Sequence, residues 1–518
     1  MTHVHFIGIG GSGLSAIARL LVESGYSVSG SDRVFSPMAH ELAALGVRVD
    51  IGHDPSHVQG ADLVIRSSAI PDDNPEVQAA ITAHIPVQKR SEYLGQFMAG
   101  HTGIAVAGTH GKTTTTAMLA WSLVSLGQDP SYIIGGISKN LGNNAHAGKG
   151  NIFVIEADEY DRMFLGLQPA MILVTNVEYD HPDCYPTPAD YYQAFVDFVH
   201  LLKPDGMLIT CQDDQGSAKL SNEVLPGCKA LVYSSQSTEN YPLNPRTARV
   251  NYEGYPQHFG GYPQHFGGYP QHFGGYPQHF GGYQAVNLSA NDLGGYTFEV
   301  WYRQENELDK LVSTALQVPG EHNVRNALAV LAAIHQLGLD VDKASQALSA
   351  YTGTGRRFDI RGEVEGITII DDYAHHPTEI RATLAAARTR FSGRRIVAVW
   401  QPHTYSRTQT LLKEFATSFK DADEVVVTEV YAAREQNHDF SALRVVHQMG
   451  HPNAHFINSL EKVTAHLLCN LQAGDVVLVL SAGDADQIST WLLAGLQPPS
   501  ELRGLPSILR GPKEKSNV

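Results

Sequence analysis

The stretch Val106-Ala-Gly-Thr-His-Gly-Lys-Thr-Thr-Thr-Thr-Ala-Met-Leu-Ala120 constrains the fold of this chain more than any other. Gly103–Ala107 reads as a short buried strand and Gly108-Thr-His-Gly-Lys-Thr113 as a tight turn. Thr114–Leu126 reads as a helix, with apolar residues at 118, 119, 123, 124 and 126. A strand entering a helix through a glycine turn belongs to a layered α/β sheet. It is also a phosphate cradle, because backbone N–H groups and the helix N-terminus point at the anion. Gly108, Thr109, His110, Gly111 and Thr114 form the cradle. Lys112 is placed to reach the β- and γ-phosphates of ATP, and the Thr113 hydroxyl to bind Mg²⁺. The usual P-loop has a glycine where Val106 stands, so the core here is the shortened Gly108-x-x-Gly111-Lys112-Thr113. A turn that binds nothing has no need of Gly, Lys and Thr together in this context.

A second glycine turn precedes the first. Strand His3–Ile9 runs into Gly8-Ile-Gly10-Gly11-Ser-Gly13, then a helix from about Leu14 to Gly25, then strand Tyr26–Asp32. This βαβ unit lets a pyrophosphate approach the backbone at Gly8, Gly10 and Gly13. Asp32 either accepts from a ribose hydroxyl or simply ends its strand. Strand Leu63–Ile65 brings Ser67 and Ser68 to the sheet's carboxyl edge, where ligands bind in open α/β sheets. Alone, the fingerprint fits an NAD(P)-dependent oxidoreductase, a reading that leaves the Gly-Lys-Thr stretch unused. A nucleotide-binding module without catalysis is a further alternative.

Beyond the Gly-Lys-Thr stretch, strand Asn151–Ile155 runs straight into Glu156-Ala-Asp-Glu-Tyr-Asp161. Carboxylates at a strand end beside a P-loop hold Mg²⁺. Strand Ala170–Asn176 similarly delivers His181. Tyr-Pro-Gln-His-Phe-Gly-Gly then occurs four times, from Tyr255 to Gly282. Pro and paired Gly in every repeat exclude a coiled coil, so the repeat reads as a turn-rich surface insertion that activity does not need. Structure resumes with Tyr296–Trp301 and a helix over Val324–Leu337. Asn323 and Asn326 share one face of its first turn, Asn323 also suiting an N-cap. From Gly353, strands at Gly366–Ile370, Arg395–Trp400, Glu424–Thr428 and Asp475–Leu480 predict a further doubly wound sheet. Three polar clusters follow these strands: Asp371–Pro377, Gln401–Arg407 and Ser481–Asp484.

The net charge of −16 argues against a nucleic-acid or anionic-membrane partner. No run is long and apolar enough to span a bilayer, and the N-terminus lacks a signal core. Cys184, Cys211, Cys228 and Cys469 form no C-x-x-C pair and read as thiols of a reducing cytoplasm.

These motifs, in this order, resemble the Mur ligase family of peptidoglycan synthesis. The marks are Gly8–Gly13, Ala107–Thr115, Glu156-Ala-Asp-Glu159, Thr175–His181, Gly320–Asn326, Arg356-Arg-Phe358, Asp371–Pro377 and Gln401-Pro-His403. The resemblance implies an α/β chain of three domains: a Rossmann-like UDP-sugar domain over 1–99, an ATP domain over 100–352 carrying the 255–282 insertion, and a Rossmann-like amino-acid domain over 353–496. The tail 497–518 is expected to be disordered. The implied reaction is ATP-dependent joining of L-alanine to UDP-N-acetylmuramate through an acyl phosphate. Joining of whole murein peptides to the same sugar is the nearest alternative. By position, Gly8, Gly10, Gly11, Gly13, Asp32 and Ser68 would hold the UDP sugar, and Thr113, Glu156 and His181 the Mg²⁺. Lys112, Asn323, Asn326, Arg357 and Asp372 would make up the reaction site, with His376, His403 and Arg407 facing the alanine or acyl intermediate. His375, His376 and His403 are candidates for the base. A monomer or weak homodimer is expected.

Two departures matter. Some alanine-adding members carry Arg after this His, where Thr404 stands here, so carboxylate recognition would fall to Arg407 alone. Ligases adding later residues carry a modified lysine about fifteen positions after the metal His, where Val196 stands here.

Overall fold

Near-continuous apolar strands followed by helices dictate parallel sheets covered on both faces, and the computed structural model contains three. It describes residues 2–236, 282–304, 307–433, 435–436 and 439–497. The repeat from Tyr255 to Gly282, apart from its last residue, and the tail beyond Gln497 lie outside the described residues.

The first sheet comprises β1 (His3–Ile7), β2 (Ser27–Asp32), β3 (Arg48–Ile51), β4 (Leu63–Arg66) and β5 (Val87–Lys89). All its pairings are parallel, in the order β3-β2-β1-β4-β5. The chain reverses direction across the sheet between β1 and β4. The glycine turn after β1 and the Ser67–Ser68 loop after β4 therefore open on one crevice.

The second sheet holds β6 (Thr102–Ala107), β7 (Ser131–Ile133), β8 (Ala145–His146), β9 (Ile152–Glu156), β10 (Met171–Val174), β11 (Met207–Cys211), β12 (Lys229–Ser234), β13 (Gly282–Ala290), β14 (Tyr296–Gln304) and β15 (Glu307–Ala315). Their order is β15-β14-β13-β12-β11-β10-β6-β9-β7-β8. Pairings from β13 to β7 are parallel, and those of β14, β15 and β8 are antiparallel. β6 lies between β10 and β9, so the loops leaving these three strands share one edge. Alternation along β6 serves two cores. Ile104 and Val106 pack with Ala117–Ala120 and Val324–Ile334, whereas Ala105 and Ala107 join a core that reaches Phe6, Leu20 and Leu21 of the first sheet's unit.

The third sheet has β16 (Asp359–Val364), β17 (Ile367–Asp372), β18 (Ile396–Trp400), β19 (Glu424–Val427), β20 (Ala454–Phe456) and β21 (Val476–Leu480), in the order β16-β17-β21-β18-β19-β20. Only β16 pairs antiparallel. The expected α/β architecture is thus present.

Helix starts differ from the sequence reading. The helices begin at Ser12, Lys112 and Glu321, behind Gly11, Gly111 and Gly320. Asn323 is therefore not the N-cap; Gly320 is, and Asn323 stands in the first helical turn. The cause is shared, since the last residues of each glycine turn already form the helix's first turn.

One polar knot stabilises the first sheet from within. Glu76, fully buried, accepts from Ser31 Oγ at 2.6 Å and bonds His57 Nδ1 at 2.7 Å. His5 Nε2 and His53 Nδ1 stand 3.6 and 3.5 Å from it. Burial favours the neutral acid, but the bonds from His5, Ser31 and His57 outweigh it and hold the carboxyl down at about 2. The stabilisation is complete above pH ~4.5 and is lost as the pH falls through ~2. Glu76→Gln is expected to cost about 2–3 kcal/mol at neutral pH, read from denaturant unfolding, and to abolish that acid dependence.

Candidate functional site

The nucleotide turn takes its shape from what approaches it. Gly108 has φ 132°, and a Cβ there would meet Thr175 Oγ1 at 2.1 Å. Gly111 has φ 82°, and a Cβ would meet Asn326 Oδ1 at 2.9 Å. Both positions therefore require glycine. Helix Lys112–Ser125 packs against helix Glu321–Gln336 through Ala117–Leu123 and the fully buried Ala327–Ile334. That packing lays Asn326 on Gly111. Asn326 Nδ2 donates to Asn323 Oδ1 at 3.0 Å, and Asn323 Nδ2 donates to Pro319 O at 2.7 Å. The two asparagines are thus one braced unit facing the turn.

Lys112 Nζ donates to the carbonyls of Gly108 and Thr109 and pairs with Glu159 at 2.9 Å. Burial works against its charge, but Glu159 and Asp158 outweigh burial and raise its pKa. Thr113 Oγ1 donates to Glu156 Oε1 at 2.9 Å, and Gly135 N donates to Oε2 at 2.6 Å. Burial pushes the Glu156 carboxyl up. A hydroxyl and a carboxylate whose charge lacks solvent are hard oxygen donors that suit Mg²⁺. His181, the third expected ligand, stands beside Glu159 instead, with Nε2 3.7 Å from Oε1. Among the described residues, the only group of three metal-ligating side chains with atoms within 4.8 Å of one another is His110, Glu178 and His376.

On the first sheet, Gly10 N donates to Asp32 Oδ2 at 2.8 Å and Val34 N to Oδ1 at 3.3 Å. Asp32, expected either to bind ribose or to end its strand, braces the glycine turn here. Ser68 is exposed at the crevice. Arg90, which the sequence reading missed, lies across Gly13, where a Cβ would fall 1.6 Å from its guanidinium. It also reaches Asp158 of the second unit at 3.6 Å. Its signal was positional, because Arg90 follows β5 at the same carboxyl edge.

The third sheet completes the site from across the junction. Arg357 stacks 5.0 Å from the Tyr373 ring and stands 3.6 Å from Glu379. Asp372 accepts from Phe358 N and Ala374 N, both at 2.7 Å, and burial pushes its carboxyl up to about 6. With Gly111, Asn326 and Glu379 they line a cavity of about 440 Å³. Arg407, expected to grip the amino-acid carboxylate, is buried, and its Nε donates to Asp180 at 2.7 Å. Its NH1 meets His403 Nδ1 at 3.1 Å. In this arrangement Arg407 ties the third sheet to the loop after β10. His376 caps helix Pro377–Arg390 through Nδ1, and its ring lies 4.7 Å from that of His110, on the nucleotide side. Burial lowers His375 to about 3, and burial with the neighbouring His110 lowers His376 to about 4.

Backbone strain gathers here. Asp161, Arg162, His181, Arg356, Phe358 and Thr404 all have positive φ without being glycine. Thr404, β-branched at φ 64°, is the costliest of these conformations. It is held by Thr404 N donating to Tyr431 O and by Thr408 Oγ1 donating to Thr404 O.

Three family models match the chain: "Mur ligase family, catalytic domain" over residues 3–102, "Mur ligase middle domain" over 106–260 and "Mur ligase, glutamate ligase domain" over 356–483. A UDP-N-acetylmuramate–L-alanine ligase of Chloroflexus aggregans is 40% identical over 506 residues, 96% of this chain and 99% of its own. One from Roseiflexus sp. is 38% identical, with the same coverage. Among solved structures, the UDP-N-acetylmuramate-alanine ligase of Thermotoga maritima aligns with a TM-score of 0.72 and 28% identity, covering 95% of this chain and 98% of its own. A murein peptide ligase of Psychrobacter arcticus aligns with a TM-score of 0.66 and 25% identity, covering 96% and 99%.

Proposed function

The chain belongs to the Mur ligase family, and from that premise we propose that it joins L-alanine to UDP-N-acetylmuramate, converting ATP to ADP and phosphate. The observation that carries the reading is the single cavity in which the phosphate turn meets Asn326, Arg357 and Asp372 across two sheets. The first sheet's glycine turn, with Arg90 across it, serves the UDP pyrophosphate. The second sheet binds ATP, and the third takes the amino acid. No helix of the described residues is long and apolar enough to cross a membrane, and we place the reaction in the cytoplasm.

The lactyl carboxylate attacks the γ-phosphate in line, giving an acyl phosphate and ADP. The alanine amine then attacks the acyl carbon through a tetrahedral intermediate, and phosphate leaves as the amide forms. The protein's task is to neutralise charge on the transferring oxygens. Lys112, now paired with Glu159, exchanges that carboxylate for phosphate oxygens. Thr113 and Glu156 would hold Mg²⁺, with His181 beside Glu159. Bound Mg²⁺ supplies charge neutralisation at the phosphates. Asn323 and Asn326 hold the turn, and Arg357 and Asp372 close on it from the third sheet. His375, His376 and His403 are the candidates for taking the amine proton; burial lowers the first two, and His403 Nδ1 accepts from Arg407.

Phosphate release from ATP in the presence of UDP-N-acetylmuramate and single amino acids tests this reading. Release that depends on L-alanine is the expected result.

A further inference from the structure

His110 stands in the phosphate turn with its backbone locked. Its N donates to Asn176 Oδ1 at 2.8 Å, and its O accepts from Thr175 Oγ1 at 2.6 Å and Asn176 Nδ2 at 3.0 Å. Both ring nitrogens face carboxylates. Nε2 is 3.0 Å from Glu178 Oε2, and Nδ1 is 3.2 Å from Glu379 Oε1. A carboxylate only accepts, so two such neighbours require a proton on each ring nitrogen. Glu178 comes from the loop after β10, in the same unit as His110. Glu379 comes from helix Pro377–Arg390 of the third sheet. The second proton therefore depends on the third sheet being docked.

We propose that Glu379 is a positioning residue whose arrival, as the third sheet docks, fixes His110 as an imidazolium and sets a second cation in the phosphate turn beside Lys112. This rests on the ATP-dependent reading of the same site. Its consequence is that the protonated, doubly hydrogen-bonded ring is present in the phosphate turn only when the amino-acid unit is in place, which ties acyl-phosphate formation to closure.

The surroundings agree. Burial opposes the charge on His110, but Glu379 and Glu178 outweigh it and raise the imidazole to about 10. Glu178 is held down at about 2, and Glu379 well below the ordinary range. The other groups facing the ring are His376, its ring tilted by 42° with centroids 4.7 Å apart, and Asp214 at longer range, while Arg357 NH1 stands 3.6 Å from the same Oε1 of Glu379. Thr378 Oγ1 fixes the other oxygen of Glu178 at 2.8 Å. Both His110 and Glu379 line the nucleotide cavity.

The two oxygens of Glu379 divide their work, and the Arg357 guanidinium 3.6 Å from Oε1 stays charged across the pH range of the test, so a pH-dependent effect reports on His110. Oε2 accepts from His375 N at 3.0 Å and His376 N at 3.2 Å, capping the helix, while Oε1 faces His110. In Glu379→Gln the amide oxygen keeps the cap, and the amide NH₂ turns to Nδ1 and favours neutral imidazole. An imidazolium is present below its pKa and lost as pH rises through it. The ratio of variant to wild-type kcat is therefore expected to stay within about twofold at pH ~6 and to fall at least about tenfold by pH ~8.5. Taking the ratio cancels the titration of the alanine amine. Glu379→Asp should recover part of the loss, and His110→Gln should remove the pH dependence of the ratio. The dissociation constant for ATP with Mg²⁺, measured on the full chain without turnover, should show the same pH-dependent divergence. A Glu379→Gln ratio that is flat with pH in both kcat and ATP binding would overturn the proposal. Absence of alanine-dependent phosphate release by the wild type would instead count against the ligase reading, leaving the binding measurement to decide on Glu379.

Discussion

Lys112→Ala is expected to lower alanine-dependent phosphate release by at least about 10³-fold while UDP-N-acetylmuramate still binds. The lysine is already seated inside the turn, with Nζ on the carbonyls of Gly108 and Thr109. The site proposed for the sugar nucleotide lies on a different sheet, over Gly8–Gly13. Truncation has a second effect, because Glu159 is 1% exposed and would be left buried without its partner. A buried charge stripped of its partner costs about 3–5 kcal/mol. Lys112→Ala combined with Glu159→Gln separates the two effects. The double variant should regain stability in denaturant unfolding and remain inactive. Recovery of turnover in the double variant would mean that Lys112 serves the fold rather than the phosphates.

Arg407→Ala is expected to raise the KM for alanine and lower kcat, with a combined loss in kcat/KM of at least about 10²-fold. Two causes add. The side chain is proposed to take the alanine carboxylate where Thr404 stands after His403, and it ties the third sheet to Asp180. Asp180 is held well below the ordinary carboxylate range by Arg407, against a burial that favours the neutral acid. Removing the guanidinium leaves that carboxylate buried without its strongest partner. Pairing Arg407→Ala with Asp180→Asn relieves the buried charge. If Arg407 recognises alanine, the double variant keeps the raised KM. A return of KM to the wild-type value would show that the residue only docks the third sheet.

What the sequence made legible, and what it did not, follows from how far each feature reaches along the chain. Lys112, Thr113, Glu156 and His181 were readable because each stands at the carboxyl end of a parallel strand, and strands of this kind are recognisable as local apolar runs. Their mutual placement was only half readable. Thr113 meets Glu156 because β6 and β9 are sheet neighbours, whereas His181 faces Glu159 because the loop after β10 turns at a positive φ that no periodicity reveals. The roles of Arg90, Glu178, Asp180 and Glu379 depend on how separate units dock. Each carries a charge that a sequence reading would assign to solvent. Asn323 shows the opposite error, a local rule applied one turn too late, because Gly320 already ends the loop. Arg407 was found by its position after β18, but its partner across the junction was not.

Docking also explains why strain collects where it does. His181, Arg356, Phe358 and Thr404 hold left-handed backbone at the junction, where hydrogen bonds such as Thr404 N to Tyr431 O over-determine them. These positions bring His181, His403 and Arg407 together across two sheets.

The account's central claim is the identity of the acceptor, and side-by-side turnover tests it most directly. Phosphate release from ATP would be followed with UDP-N-acetylmuramate and, in parallel, free L-alanine or the murein tripeptide as acceptor, with formation of the amide product confirmed by mass. The account predicts release and product with L-alanine, and at least about tenfold lower kcat/KM with the tripeptide. Release that follows the tripeptide and ignores L-alanine would contradict it.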